Sequence, residues 1–202
     1  AVEDAAEALG SWVGDRHCGA NAPLGTLSFN GNKTITTGGG GAILTNDLKL
    51  ADYAKHLSTT AKVPHSWKYI HDDIGYNYRM PNINAALGCA QLQKLEEFVS
   101  SKRRLFEAYR TAFAGVEGLD VFCEPSGSQS NYWLQTLVLH EGAEGERDAI
   151  LEATNEAGYM TRPVWELMDQ LTMFSACPAA PLETANSLCR RIVNIPSSAG
   201  LA

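Results

Sequence analysis

The sequence has no Cys-x-x-Cys pair, no run of lysine and arginine interleaved with aromatics, and no apolar stretch near the length of a membrane span. Each absence argues against a class of function. The five cysteines (Cys18, Cys89, Cys123, Cys177, Cys189) are odd in number and widely spread, which fits a reducing cytoplasm better than a disulfide framework. His17-Cys18 is the one tight His/Cys pair, and its surroundings lack the two further ligands of a tetrahedral metal site. With 16 Lys+Arg against 23 Asp+Glu, the net charge of −7 gives no support to a nucleic-acid partner. A small anion remains compatible, because a pocket can be locally positive on an acidic protein. No membrane partner is expected, and the first residues carry no secretory-signal pattern. Asn32-Lys33-Thr34 matches a glycosylation acceptor, a chance match without a secretory context.

What remains is an ordinary globular composition: 202 residues, 45% hydrophobic and 19% charged, enough for one or two domains with a sizeable core. The chain opens Ala-Val-Glu-Asp-Ala-Ala without methionine, like the end of a strand running into a helix. An N-terminal portion is therefore expected to be missing. Short apolar runs at 26–29 and 42–45 predict strands, and the Asn46–Ser58 segment predicts a capped helix. A polar, aromatic-rich connection covers 59–80. From Pro81 to Ala114 runs the longest helical periodicity, ended by Gly115 and Gly118, with Lys102-Arg103-Arg104 as a solvated face. Strand-like 132–139, helical 146–157, strand-like 159–165 and a last helix near 183–193 give a βαβ-like order. This predicts an α/β protein with a Gly-rich first part, 1–104, and a small α/β domain, 105–202. Trp133 and Trp165 are expected in the core, and His65, Trp67, Tyr69 and His71 as packing or interface residues.

The stretch richest in chemistry is Ser28-Phe-Asn-Gly-Asn-Lys33, followed by Gly38-Gly-Gly-Gly41. A Walker-type phosphate loop needs Gly directly before its Lys, and Asn32 stands there. A dinucleotide fingerprint needs a helix after its glycines, and here the strand-like Ala42-Ile43-Leu44 follows. Both readings fail. The glycines suit a turn where backbone approaches a ligand or another chain closely. Lys33 precedes that turn with few charges nearby. It is either a desolvated amine, nucleophilic toward an aldehyde, or an ordinary solvated loop lysine.

Three blocks in order decide the weighting. They are Glu3-Asp4-Ala-Ala-Glu7-Ala-Leu-Gly10, Ser28-Phe29-x-x-x-Lys33 with Gly38–Ile43, and Gly75-Tyr-Asn77-Tyr-Arg79-Met80 running into Asn82-Ile-Asn84-Ala-Ala-Leu-Gly88. In these the chain resembles the DegT/DnrJ/EryC1/StrS family, nucleotide-sugar aminotransferases of fold type I that use pyridoxal 5'-phosphate. Thr161-Arg-Pro-Val-Trp165 extends the likeness. The resemblance implies the C-terminal part of such a transferase: the end of its large domain with a long connecting helix, then the small domain. By the same resemblance Lys33 carries the cofactor as a Schiff base and serves as catalytic base. Asp4 pairs with the ring nitrogen, and Ser28 and Asn77 reach the phosphate, Asn77 from the partner of a homodimer.

Other readings stay open beside these. Asp4 suits a helix start, Asn77 a turn, and Glu7 either the ring hydroxyl or a capping box. Glu7 stands where relatives often place Gln or His. Arg79 binds a substrate anion or forms a buried structural pair. The implied reaction moves an amino group from L-glutamate to a nucleotide-linked 4-keto-6-deoxy sugar of the legionaminic-acid or surface-polysaccharide type. Family members that are dehydratases carry histidine in place of the lysine, and Lys33 argues against that branch. The alternatives are an inactive or dimerising fragment and a module that binds without turnover.

Overall fold

The computed structural model describes residues 1–202, which divide into two compact units. The first comprises Ala1–Ser100 with Glu124–Trp133, and the second Ser101–Cys123 with Leu134–Ala202.

The first unit opens with β1 (Val2–Asp4), then the short β2 (Trp12–Val13) and β3 (Arg16–His17), then β4 (Leu24–Ser28) and β5 (Gly41–Leu44). β4 is central: β1 runs parallel to it with Asp4 opposite Thr26, and β5 antiparallel with Gly41 opposite Ser28. Its alternation puts Gly25 and Leu27 inside. Gly25 is required there, since a Cβ would lie 1.9 Å from the carbonyl oxygen of Gly19. No helix follows β1. Asp4 Oδ1 instead accepts the Ala6 N–H (3.2 Å), and Ala8 N–H closes a tight turn on Ala5 (3.0 Å). The expected strand-to-helix start thus becomes a strand and two turns, because the aspartate's bond to its own backbone competes with a helical first turn.

Glu3 points to the opposite side of β1 and receives Asn21 N–H (2.7 Å) and Ala22 N–H (2.9 Å). The Ala22 N–H above all holds its carboxyl down, from 4.5 to about 2. A depressed folded-state value stabilises fully above the unfolded value and loses that stabilisation as pH falls toward 2. Glu3→Gln is therefore expected to lower the unfolding temperature at neutral pH, with the gap to wild type closing between pH 4.5 and about 2. A gap that stays constant over that range in thermal melts refutes the assignment.

Helix α1 (Leu48–Ser58) starts where Asp47 Oδ1 accepts the N–H groups of Lys49 (2.8 Å) and Leu50 (3.3 Å). Beyond it, β6 (Lys62–Val63) and β7 (Ile70–His71) pair as a short hairpin. Trp67 and Tyr69 are largely exposed on it, with Trp67 edge-on to His65 (5.0 Å between ring centroids) and Lys62 Nζ 4.5 Å from the Tyr69 ring centroid. The long periodic stretch is two helices, α2 (Asn82–Leu92) and α3 (Leu95–Phe113). The five-residue step from Ala90 to Leu95 breaks the helical phase, and Lys94 N–H turns back to Gln91 O at 3.0 Å.

The second unit holds β8 (Leu119–Val121), β10 (Gln135–Leu139), α4 (Glu146–Glu156), β11 (Arg162–Pro163), α5 (Glu183–Cys189) and β12 (Ile192–Ile195), while β9 (Ser128–Gln129) pairs with β2 in the first. Its sheet runs β11-β12-β10-β8 and is antiparallel throughout, where the element order suggested βαβ. Leu137, Val193 and Ile195 are its buried core, covered by Tyr109, Phe113, Ile150 and Leu151. The expected last helix stops at Cys189, since Ile192-Val193-Asn194-Ile195 alternates in burial like a strand. The strand expected over 159–165 shrinks to Arg162–Pro163, and Trp165 is 61% exposed rather than core. Lys102 corrects the solvated-face reading. It is buried, its Nζ donates to Ser197 O, and burial pushes its amine below the ordinary lysine value. Only Arg104 of the three basic residues is fully exposed.

Candidate active site at the strand ends

The parallel pairing of β1 and β4 brings their carboxyl ends to one edge, the place where ligands bind in α/β sheets. Asp4 is the last residue of β1 and Ser28 the last of β4. Asp4 spends one carboxylate oxygen on the Ala6 N–H, and the other has no protein partner. Ser28 Oγ accepts the Asn30 N–H at 3.3 Å, which leaves its own hydrogen to donate.

Between β4 and β5 the loop closes on itself. Phe29 N–H donates to Gly40 O (2.9 Å), Thr37 N–H to Phe29 O (3.0 Å) and Lys33 N–H to Asn30 O (3.1 Å). Gly38 and Gly40 take φ values of 78° and 109°, which side-chain-bearing residues rarely adopt. Ile35 and Thr37 are buried beneath the loop, and Asn84 of α2 donates to Thr37 O. The backbone under Lys33 is thus fixed by its own hydrogen bonds.

The Lys33 side chain is 13% exposed and not free of charged neighbours, as its local sequence suggested. Its Nζ lies 2.9 Å from Glu7 Oε1, on the turn after β1, and 4.2 Å from the centroid of the Trp133 ring. Glu7 forms this ion pair instead of closing a capping box, because no helix starts at Asp4. A carboxylate and an aromatic face both favour a cation at the same point, the second by roughly 0.5–2 kcal/mol.

Lys33, Glu7, Asp4 and Ser28 therefore belong to one sheet edge, with Lys33 and Glu7 in direct contact. Asn77 and Arg79 make no hydrogen bond or ion pair with these four residues. Their segment is tied to the end of α1 by Tyr76 N–H to Leu57 O (2.7 Å) and Tyr78 N–H to Ser58 O (2.9 Å). Both side chains are exposed, and no carboxylate pairs with Arg79, which removes its buried-pair reading. His17 Nε2 accepts the Gly10 N–H at 2.9 Å. Two residues at the site were not found from sequence: Trp133, expected only as core, and Asn131. Their one signal is an Asn-x-Trp inside a strand-like run.

Over residues 1–202 the chain matches the family model described as the DegT/DnrJ/EryC1/StrS aminotransferase family. The chain belongs to that family. It is 34% identical over 99% of its length to EpsN of Bacillus subtilis (strain 168), whose name describes a pyridoxal phosphate-dependent aminotransferase, and covers 52% of that protein. It is 35% identical over 99% of its length to the GDP-perosamine synthase of Vibrio cholerae, covering 54% of it. The crystal structure of the aminotransferase TlmJ from Streptoalloteichus hindustanus superposes with a TM-score of 0.92 at 26% identity, across 100% of this chain and 54% of that one. The chain thus spans about half the length of the curated relatives it matches. Its fold is the α/β fold of these fold type I family members.

Proposed function

We propose that the chain is the lysine-bearing part of a pyridoxal-phosphate-dependent aminotransferase that takes nitrogen from L-glutamate and gives it to the keto carbon of a nucleotide-linked 4-keto-6-deoxy sugar. The observation that carries this reading is the Lys33 amine, largely withdrawn from water at the carboxyl edge of β1 and β4. The residues suit the cofactor: Asp4 keeps a carboxylate oxygen without a protein partner, Ser28 a hydroxyl free to donate, and the loop from Ser28 to β5 offers glycine backbone. When bound, pyridoxal phosphate supplies an aldehyde that carries the amino group and a ring that withdraws electrons from the α-carbon.

The chain's own groups do the rest. Lys33 Nζ would hold the cofactor covalently, and as a free amine would carry the proton of the α-carbon. Asp4 would hold a proton on the ring nitrogen, Glu7 would serve the ring hydroxyl, and Ser28 would bind phosphate. Asn77 of the partner subunit adds a phosphate contact in a homodimer, for which the exposed Trp67, Tyr69, Ile74 and Tyr78 around it supply apolar surface. Arg79, unpaired and exposed, receives the carboxylate of glutamate or the sugar diphosphate. The setting is the cytoplasm.

The second reading is a chain that folds or dimerises without binding cofactor. One experiment separates them. Protein given pyridoxal phosphate turns yellow, glutamate bleaches the colour, and borohydride added before glutamate fixes an adduct on Lys33. A protein that stays colourless establishes the second reading. A protein that colours but does not bleach is a binder without turnover.

A further inference from the structure

Lys33 and Glu7 lie in different loops, and neither loop by itself sets the 2.9 Å between their side chains. The segment that returns to the first unit, Glu124–Trp133, touches both. Asn131 is buried, and its Nδ2 donates to Glu7 O (2.8 Å) and Leu9 O (2.9 Å) on the turn after β1, with Thr34 Oγ1, next to Lys33, at 3.4 Å. Its backbone N–H reaches Ser11 Oγ at 3.0 Å. Its Oδ1 accepts the Trp133 N–H at 2.8 Å, so the same amide also fixes the tryptophan. Trp133 then grips the residue before the lysine, donating Nε1–H to Asn32 O (2.6 Å), while its ring face meets Lys33 Nζ.

Between them the buried Tyr132 has φ 45°, a left-handed conformation that side-chain-bearing residues rarely adopt. That bend allows two residues only two apart to hook two separate loops. Such strain persists where surrounding contacts over-determine it, and here the contacts converge on one amine.

We propose that Asn131 and Trp133 are positioning residues. They lock the loop of Lys33 against the turn of Glu7, so that the lysine amine is held still and faces one direction. The proposal rests on the reading of Lys33 as the cofactor-bearing lysine for its purpose, but not for its geometry. The hold has two consequences of opposite sign. A small reagent that needs a mobile amine reacts slowly with Lys33, while a cofactor docked at the strand ends reacts efficiently, because the amine is already aimed. Unhooking the segment raises the first and lowers the second. A variant that has merely lost structure does not separate them in this way.

The test uses Asn131→Ser, which removes the amide, and Trp133→Phe, which keeps a buried ring but loses the indole N–H. Reductive methylation with formaldehyde and cyanoborohydride is read by peptide mass at Lys33 against the exposed Lys49. Fixation of pyridoxal phosphate by borohydride at residue 33 is read in parallel. In both variants methylation of Lys33 is expected to rise about threefold to tenfold, because the ring shifts off the amine and the cation–π contact weakens. Cofactor fixation is expected to fall about tenfold to a hundredfold, the scale for displacing a reacting group by about 1 Å. If Trp133→Phe alone folds, it decides. Unchanged methylation overturns the proposal, and so does raised methylation with undiminished fixation. If wild-type protein fixes no cofactor on Lys33, the proposed function fails, and the aiming proposal fails with it. The methylation ratio then reports only whether the hold exists.

Discussion

Lys33→Ala gives a protein that stays colourless with pyridoxal phosphate, yields no borohydride adduct at residue 33, and no longer moves nitrogen from glutamate. The expected loss is large because one amine serves two purposes. In the proposed function it anchors the cofactor, and a positioned base of this kind contributes roughly 10²–10⁴-fold to proton transfer. The cost to the fold is small by comparison. Glu7, 49% exposed, is left facing water, and what is lost is an ion pair of under about 1 kcal/mol and a cation–π contact. Lys33→Arg sharpens the result, since it keeps a charge for Glu7 and Trp133 but has no amine that condenses with an aldehyde. Absorbance and peptide mapping of both variants provide the check. Colour that persists with an adduct on another lysine would remove Lys33 from its proposed role.

The second large effect concerns stability. Gly75 packs so closely on the end of α1 that an added Cβ would stand 2.2 Å from the Thr60 carbonyl carbon and 2.4 Å from the Ala61 nitrogen. Those are backbone atoms, and they have little room to move. Thr60 and Ala61 already sit at φ 70° and 49°, Thr60 N–H donates to Tyr76 O (2.9 Å), Ala61 N–H to His56 O (2.8 Å), and Ala61 is fully buried. Gly75→Ala must push the 72–78 segment away from the end of α1 or break those bonds. The expected cost is about 3 kcal/mol, at the upper end for overpacking. For a chain of this size that lowers the unfolding temperature by roughly 6–12 °C. Thermal melts followed by circular dichroism measure it, and a drop of under about 2 °C would mean that the segment yields easily. Because Asn77 and Arg79 lie two and four residues on, the same substitution displaces both.

Much of the first unit's outline was readable because local signals and packing agree there. The apolar runs at 26–29 and 42–45, the Asn/Asp cap opening the 46–58 segment and the helical spacing after it all describe a half-buried surface, and β4, β5 and α1 form about where those signals lie. The misreadings share a cause. A period of three to five residues tolerated the phase slip at Gln93–Lys94, so two helices passed for one. Ile192–Ile195 continued an apolar helical count, but pairing with β10 and β11 settled it as a strand. Lys102 was given to solvent by its charge and its two basic neighbours, while the 196–199 segment that covers it lies far away in sequence. At the site, Asp4, Ser28 and Lys33 stood out through their motif. Asn131 and Trp133 had no such mark, since what gives them a role is a bend at Tyr132 and partners about a hundred residues away, at 7 to 34.

The return of Glu124–Trp133 to the first unit bears on how the protein is made. During synthesis residues 1–100 emerge before the tryptophan that lines Lys33. Until Trp133 clears the ribosome, Lys33 has a carboxylate beside it but no roof, and its loop lacks the indole N–H that binds Asn32. Shelter for Lys33 thus arrives with a segment about a hundred residues further along the chain, and a polypeptide cut short before Trp133 has Asp4, Ser28 and Lys33 present with the lysine still unsheltered.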